Sequence, residues 1–167
     1  MLGGSANHAE VTNCTIANTA NVVATRGDMG GIIGYARYAD ISECSVDRDF
    51  SGQLGYCYGG IVGWLRNGSI SSCSFLGSKI RSSQMQVGGG IVGYLQVATI
   101  DGCISDASDV SKNGTAVSGA SGGIAGLGAS SEKENNIIKN CHYKSAITLC
   151  GSNFTEGTGS EANVADR

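Results

Sequence analysis

The sequence predicts an all-β fold: a parallel β-solenoid (β-helix) of about five coils, with roughly 30 residues and three short strands in each. Three observations carry that expectation. A glycine box recurs at Gly30-Gly31-Ile32-Ile33-Gly34-Tyr35, Gly59-Gly60-Ile61-Val62-Gly63-Trp64, Gly89-Gly90-Ile91-Val92-Gly93-Tyr94 and Gly122-Gly123-Ile124-Ala125-Gly126-Leu127. In the first three copies a second Ile follows the first by nine residues and a Cys follows by twelve (32, 41, 44; 61, 70, 73; 91, 100, 103). Repetition at such a period marks stacked units that bury a common core, because one unit alone cannot cover its apolar face. Finally, no window of eleven or more residues shows the spacing of an amphipathic helix.

Composition narrows the class. The chain has 167 residues, the length of one domain, with 41% hydrophobic and 15% charged residues, which fits a folded protein. Its 27 Gly with no Pro imply tight turns and close backbone approach, without collagen or polyproline character. Net charge is −3, and Lys and Arg are scattered, so nucleic acid is not an expected partner. No run approaches 18 apolar residues, so no helical membrane insertion is expected of this segment.

Taken in order, the repeats fall at about 1–28, 29–58, 59–87, 88–121 and 122–150, with a polar tail or cap over 151–167. Counting back from Cys14 puts Leu2, Gly4 and Val11 at repeat positions. The chain therefore opens inside a repeat, with no leader expected in these residues, and reads as a piece of a larger protein. Within each repeat the first strand is the glycine box with its aromatic. The second runs from the second Ile through the Cys, as in Ile41 to Val46 and Ile70 to Phe75. A third lies near Val22-Val23, Phe50 to Leu54, Ile80 to Met85 and Val110 to Val117. Turns are expected at Arg66-Asn67-Gly68, Leu76-Gly77-Ser78 and Lys112-Asn113-Gly114.

Stacked in parallel, equivalent residues form ladders: Ile32, Ile61, Ile91 and Ile124; Ile41, Ile70, Ile100 and Ile138; and Cys14, Cys44, Cys73, Cys103 and Cys141. The paired Gly before each first Ile is expected to turn with positive φ. Ile and Cys three apart would face opposite sides of a flat strand. A bend at Ser42-Glu43, Ser71-Ser72 and Asp101-Gly102 would turn both inward. The insertion Ala129 to Asn136 is expected as a protruding loop or one helical turn, and right-handed winding follows the general rule for parallel crossovers.

The box followed by Ile-x-x-Cys resembles the GLUG-motif repeats of bacterial cell-surface proteins, which carry Gly-Gly-Leu-Val-Gly followed by Ile-x-Asn-Cys. Asn13-Cys14 and Asn140-Cys141 keep the Asn-Cys pair, whereas Glu43, Ser72 and Gly102 depart from it and Ile replaces Leu in the box. The resemblance covers residues 2 to about 150. It implies a cell-surface or secreted setting, a stalk or adhesive role, and neighbouring repeats of a longer parent as partners. It implies no catalytic residue.

Among features that could carry chemistry, the column Tyr35, Trp64 and Tyr94 stands first. Facing solvent, it is a ribbon suited to sugar rings or to an apolar patch of a partner; facing inward, it fills a corner of the core. Arg37, Arg66 and Gln96 lie two residues on and could add polar contacts to a glycan. A second column, Thr12, Ser42, Ser71 and Asp101 with Thr15, Ser45 and Ser74, is expected to be the wet face, and its mixed composition speaks against ice binding. Gly88 to Gly93 spells a dinucleotide fingerprint, but strand text follows it where a helix is required. Cys141, His142 and Cys150 lack metal-site spacing, so no metal or cofactor is implied. A disulfide at Cys57 or Cys150 is open in an oxidising compartment. Asn13, Asn67, Asn113 and Asn153 each begin an N-x-Ser/Thr triplet. Asp28, Asp47, Asp49, Asp101, Asp106 and Asp109 fall mostly at turns and do not align as paired catalytic carboxylates.

The preferred reading is a non-catalytic structural or adhesive module of a bacterial surface or secreted protein, contacting glycan or a host or surface protein through the aromatic ladder. The alternatives are a fragment of a carbohydrate-active β-helix enzyme and a pure spacer.

Overall fold

The computed structural model of the chain describes residues 5–17, 27–52, 55–144, 148–154 and 159–161. It is almost entirely parallel β-sheet, stacked as a solenoid. The expected strand at Val22-Val23, the repeat positions Leu2 and Gly4, and Leu54 lie outside the described residues, as do 155–158 and 162–167 of the tail.

Among the described residues four sheets run along the stack. The longest is built from Ser5–Asn7 with Glu10–Thr12, then Ile33–Ser42, Val62–Ser71 and Val92–Asp101, and last Ala125–Gly128 with Asn136–Lys139. A second holds Thr15–Ile16, Ser45–Val46, Ser74–Phe75, Ile104–Ser105, Cys141–Tyr143 and Gly159–Glu161. Phe50–Gly52, Lys79–Ser82 and Asp109–Lys112 form the third; Met29–Gly30, Cys57–Gly59, Val87–Gly89 and Ser121–Gly122 form the fourth. Five rungs in the long sheet agree with the five coils read from the repeats.

Strands divide differently from the expectation of three per coil. The box does not form one strand, because the chain bends at Gly60-Ile61 and the leading glycine closes a separate strand, Cys57–Gly59. After the bend, the ten-residue strand Val62–Ser71 runs through Arg66-Asn67-Gly68, where a separating turn was expected. That triplet is a corner inside the strand. Asn67 sits there at φ 52°, and its equivalents His8, Tyr38 and Val97 have φ of 52°, 50° and 53°.

The paired glycines are also explained otherwise than expected. None of Gly30, Gly31, Gly59, Gly60, Gly89, Gly90, Gly122 and Gly123 has a positive φ. They are required by crowding: a Cβ on Gly60 would collide with the Gly90 carbonyl of the next coil and the ring of Phe75, and one on Gly59 with the Val62 carbonyl.

The left-handed residues that the Ile and Cys ladders require lie one position before each Cys. Asn13, Glu43, Ser72, Gly102 and Asn140 have φ of 55°, 54°, 51°, 59° and 52°. Each bend reverses the alternation, so both Ile and Cys enter the core. Ile41, Ile70 and Ile100 are fully buried, Ile138, Cys44 and Cys73 are 1% exposed, and Cys103 and Cys141 are fully buried. Register aligns Val11 with Ile41, Ile41 with Ile70, Ile70 with Ile100 and Ile100 with Ile138. The first box Ile also stacks: the Ile32 N–H donates to Ile61 O at 3.0 Å, Ile61 to Ile91 at 2.9 Å, and Ile91 to Ile124 at 2.9 Å. Phe50 and Phe75 stack at 5.6 Å within the same core.

The irregular segments are grafted onto this frame at its turns. In the fifth coil the long strand is interrupted at the left-handed corner, and the 3-10 helix Ser130–Asn135 fills the gap, one of the two forms expected there. Asn136 closes it from a fully buried position. Its Oδ1 accepts the Val97 N–H at 2.9 Å, and its Nδ2 donates to Ala129 O at 3.1 Å and Asn153 O at 3.2 Å. The extra length after Asp106 is a two-residue hairpin, Asn113-Gly114, with φ of 52° and 82°, closed by paired hydrogen bonds between Lys112 and Thr115. Past Cys150, Asn153 Nδ2 donates to Gly128 O at 3.1 Å and Phe154 is buried at 8%, so residues 151–154 pack on the fifth coil. Gly159–Glu161 adds a further parallel strand to Cys141–Tyr143.

Candidate functional site

Side-chain alternation in the long strands places the candidate binding residues on one outer face. Leu65 between Trp64 and Arg66, Ala36 between Tyr35 and Arg37, and Leu95 between Tyr94 and Gln96 are all fully buried. Their flanking residues must then project outward. Parallel register sets Tyr35 beside Trp64, Trp64 beside Tyr94, and Tyr94 beside Leu127. The same pairing sets Arg37 beside Arg66 and Arg66 beside Gln96. All six sequence-derived residues are therefore brought together as two adjacent columns.

The rings meet edge to face. Tyr35 and Trp64 have centroids 5.3 Å apart at 84°, and Trp64 and Tyr94 lie 5.2 Å apart at 71°. All three are half-buried, which falls between the two alternatives of a solvent ribbon and a core corner. Tyr94 and Leu127 rest against a small apolar cluster of Cys57, Val87 and Ala120, separate from the main core. Burial raises the Tyr94 phenol above its usual range, with Cys57 and Tyr56 adding to the effect. The Trp64 Nε1 is enclosed and has no hydrogen-bond partner among the described residues.

Sequence reasoning missed three aromatic groups beside these columns. Tyr38 is 44% exposed at the left-handed corner, His8 stacks on it at 4.8 Å and 13°, and the Arg37 guanidinium lies 4.9 Å from its ring centre. Tyr56 is 59% exposed. No repeated chemistry marked them, because the corner column reads His8, Tyr38, Asn67 and Val97, which share a conformation and not a side-chain type.

The polar column stands in register as expected: Thr12, Ser42, Ser71 and Asp101 pair in turn, and Ser74 Oγ donates to Ser45 Oγ at 3.0 Å. The carboxylates mostly clip one coil to the next. Asp28 accepts the Cys57 N–H at 3.2 Å; Asp40 accepts the Ser69 hydroxyl at 2.6 Å; Asp49 accepts the N–H groups of Ser78 at 2.6 Å and Lys79 at 2.9 Å. Asp101 takes Asn140 Nδ2 at 2.9 Å and Lys139 Nζ at 3.2 Å, and these hydrogen bonds, Asn140 first, hold its carboxyl below the usual range. Asp109 pairs with Arg81. Among the described residues no group of three or more His, Cys, Asp or Glu is arranged to hold a metal ion. All seven thiols are free. Burial pushes the Cys44 thiol up to about 11 and raises Cys57 further, so both stay protonated and unreactive at neutral pH.

Residues 55–81 match the family described as the GLUG motif. The chain carries a GLUG motif. The matched segment spans one coil, from Gly55 through the box, Trp64, the Asn67 corner, Ile70 and Cys73 to Arg81. Comparison with curated proteins and with solved structures gives no match. No helix among the described residues is long and apolar enough to cross a membrane.

Proposed function

We propose that the chain is a non-catalytic structural and adhesive repeat module of a bacterial surface or secreted protein, and that its outer aromatic face contacts carbohydrate. The observation carrying this reading is the register of half-buried Tyr35, Trp64 and Tyr94 beside Arg37, Arg66 and Gln96. Ring faces offer apolar area to a sugar's C–H groups, while guanidinium and amide groups two residues away can meet its hydroxyls. The GLUG motif supports the surface setting. Cross-coil use of Asp28, Asp40, Asp49, Asp101 and Asp109 favours a structural role over a hydrolytic one, since these carboxylates are committed to holding the stack.

Trp64 is the only tryptophan, so its emission reports directly on this face. Titration with a panel of neutral and charged oligosaccharides is expected to shift or quench that emission, and Trp64→Ala should abolish binding measured by calorimetry. Absence of binding across the panel by a folded chain would defeat the carbohydrate reading. It would favour the pure spacer, which the packing of Tyr94 and Leu127 on Cys57, Val87 and Ala120 already suits.

A further inference from the structure

Two arginines of the outer face, Arg37 and Arg66, stand on neighbouring rungs of the stack. Ion pairs among the described residues join Arg81 to Asp109 and Lys139 to Asp101. Among those same residues, neither Arg37 nor Arg66 has a carboxylate partner. Among the described residues Arg37 makes a long 3.5 Å contact to the Tyr38 hydroxyl and a stacking contact with its ring, and its enclosed Nε has no hydrogen-bond partner there. The nearest carboxylates along the strand, Glu10 and Asp40, pair with each other in register beyond the left-handed corner, and Asp40 is engaged by Ser69. Yet register holds Arg37 directly beside Arg66, on rungs about 4.8 Å apart. Two like charges on neighbouring rungs repel, and an anion lying against both would relieve that repulsion. The aromatic column runs alongside, two residues away on the same face.

We propose that this face takes an acidic saccharide, an oligomer of uronate residues, with carboxylates on Arg37 and Arg66 and its apolar C–H groups against the Tyr35 and Trp64 rings. The proposal rests on the carbohydrate-contact reading above and specifies its ligand. A planar guanidinium matches a carboxylate through two parallel hydrogen bonds, a geometry that an ammonium does not offer. The rung spacing of about 4.8 Å is close to the length of one pyranose unit in an extended chain, so successive sugars fall on successive coils. The coils of Arg37 and Arg66 then each supply one ring and one cation. On the next coil Gln96 stands in place of an arginine, and its amide meets a hydroxyl or a ring oxygen.

The test compares two forms of one backbone: short oligogalacturonate and the same oligomer fully methyl-esterified. Binding is read by Trp64 emission and by calorimetry at low and high salt. The acid form is expected to bind at least about tenfold more tightly than the ester, and to weaken as salt rises. Arg66→Gln, which removes no side-chain hydrogen bond or ion pair among the described residues, should lower affinity for the acid about tenfold and affinity for the ester by much less. The double variant Arg37→Gln with Arg66→Gln should remove the preference for the acid, with a circular dichroism spectrum as in the parent chain and at most a small drop in melting temperature from the lost Tyr38 contacts. Equal affinity for both forms, or no effect of either variant, would overturn the charge assignment while leaving the carbohydrate reading standing. Failure of the folded chain to bind either form would also overturn it, and the oligosaccharide panel then decides the broader reading on its own.

Discussion

Ile70 and Cys73 lie three residues apart and both point into the core, because Ser72 between them adopts a left-handed backbone at φ 51°. The same device recurs at Asn13, Glu43, Gly102 and Asn140. It converts a strand that would bury every second residue into a corner that feeds two adjacent sheets. The chain thereby closes a core with strands only two to ten residues long. Asn, the residue that GLUG repeats carry before Cys, tolerates this conformation, whereas Glu43 and Ser72 occupy it at a cost in free energy.

That cost can be recovered. Glu43 and Ser72 are exposed, so their side chains contribute little else. Replacing Glu43 with Asn, or Ser72 with Asn, is expected to stabilise the fold by about 0.5–1 kcal/mol, by matching the residue to its conformation. Urea denaturation of each variant measures it. A loss of stability in both would mean that these bends are held by something other than local backbone preference.

Crowding and conformation separate cleanly at two glycines. Gly60→Ala forces a methyl group into the Gly90 carbonyl and the Phe75 ring between neighbouring coils, and is expected to lower stability by about 3 kcal/mol or more. Gly102→Ala places its methyl group in open space but at φ 59°, so the loss should be nearer about 1 kcal/mol. Equal losses would contradict the close-approach account of the box glycines.

Much of this was legible in the sequence because the repeat carries it. Equal spacing of Ile32, Ile61 and Ile91, and of Cys44, Cys73 and Cys103, fixes stacking and register before any side chain is placed. The inward turn before each Cys followed from the clash between a spacing of three and a strand period of two. Two things were hidden. Asn67 looks like a turn residue, but the ladder hydrogen bonds of Val62–Ser71 continue through the corner on both sides, so local propensity misplaced the strand boundary. His8 and Tyr38 share a backbone conformation and no side-chain chemistry with Asn67 and Val97, so their stacked pair leaves no trace in the repeat pattern.

The thiols should divide by position. Cys44, Cys57, Cys73, Cys103 and Cys141 are buried, whereas Cys14 and Cys150 are half-buried. A native-state titration with a thiol reagent at neutral pH is expected to modify only Cys14 and Cys150 quickly. The other five should react at the rate of unfolding because each is buried, and the Cys44 thiol, at about 11, is protonated as well. Rapid modification of the core column in the folded chain would show that the coils open locally.

Asp28 gives a pH dependence opposite in sign to that of the surface carboxylates. Burial raises its pKa, only partly opposed by the hydrogen bond from the Cys57 N–H. The folded chain therefore keeps a proton on Asp28 at pH values where the unfolded chain has lost it. The contribution is fully present below the ordinary carboxylate range, near about 4, and is lost as pH rises through the higher folded value. Asp28→Asn keeps an oxygen for the Cys57 N–H and removes the ionisation. At neutral pH this variant is expected to melt above the parent chain, and below about pH 4 the difference should vanish or reverse. Asp101, held below its usual range by Asn140 and Lys139, loses its contribution as pH falls, so the comparison between parent and variant isolates Asp28 from it. A melting difference that stays constant from acid to neutral pH would mean that Asp28 titrates alike in the folded and unfolded chains, and that its hydrogen bond fully offsets its burial.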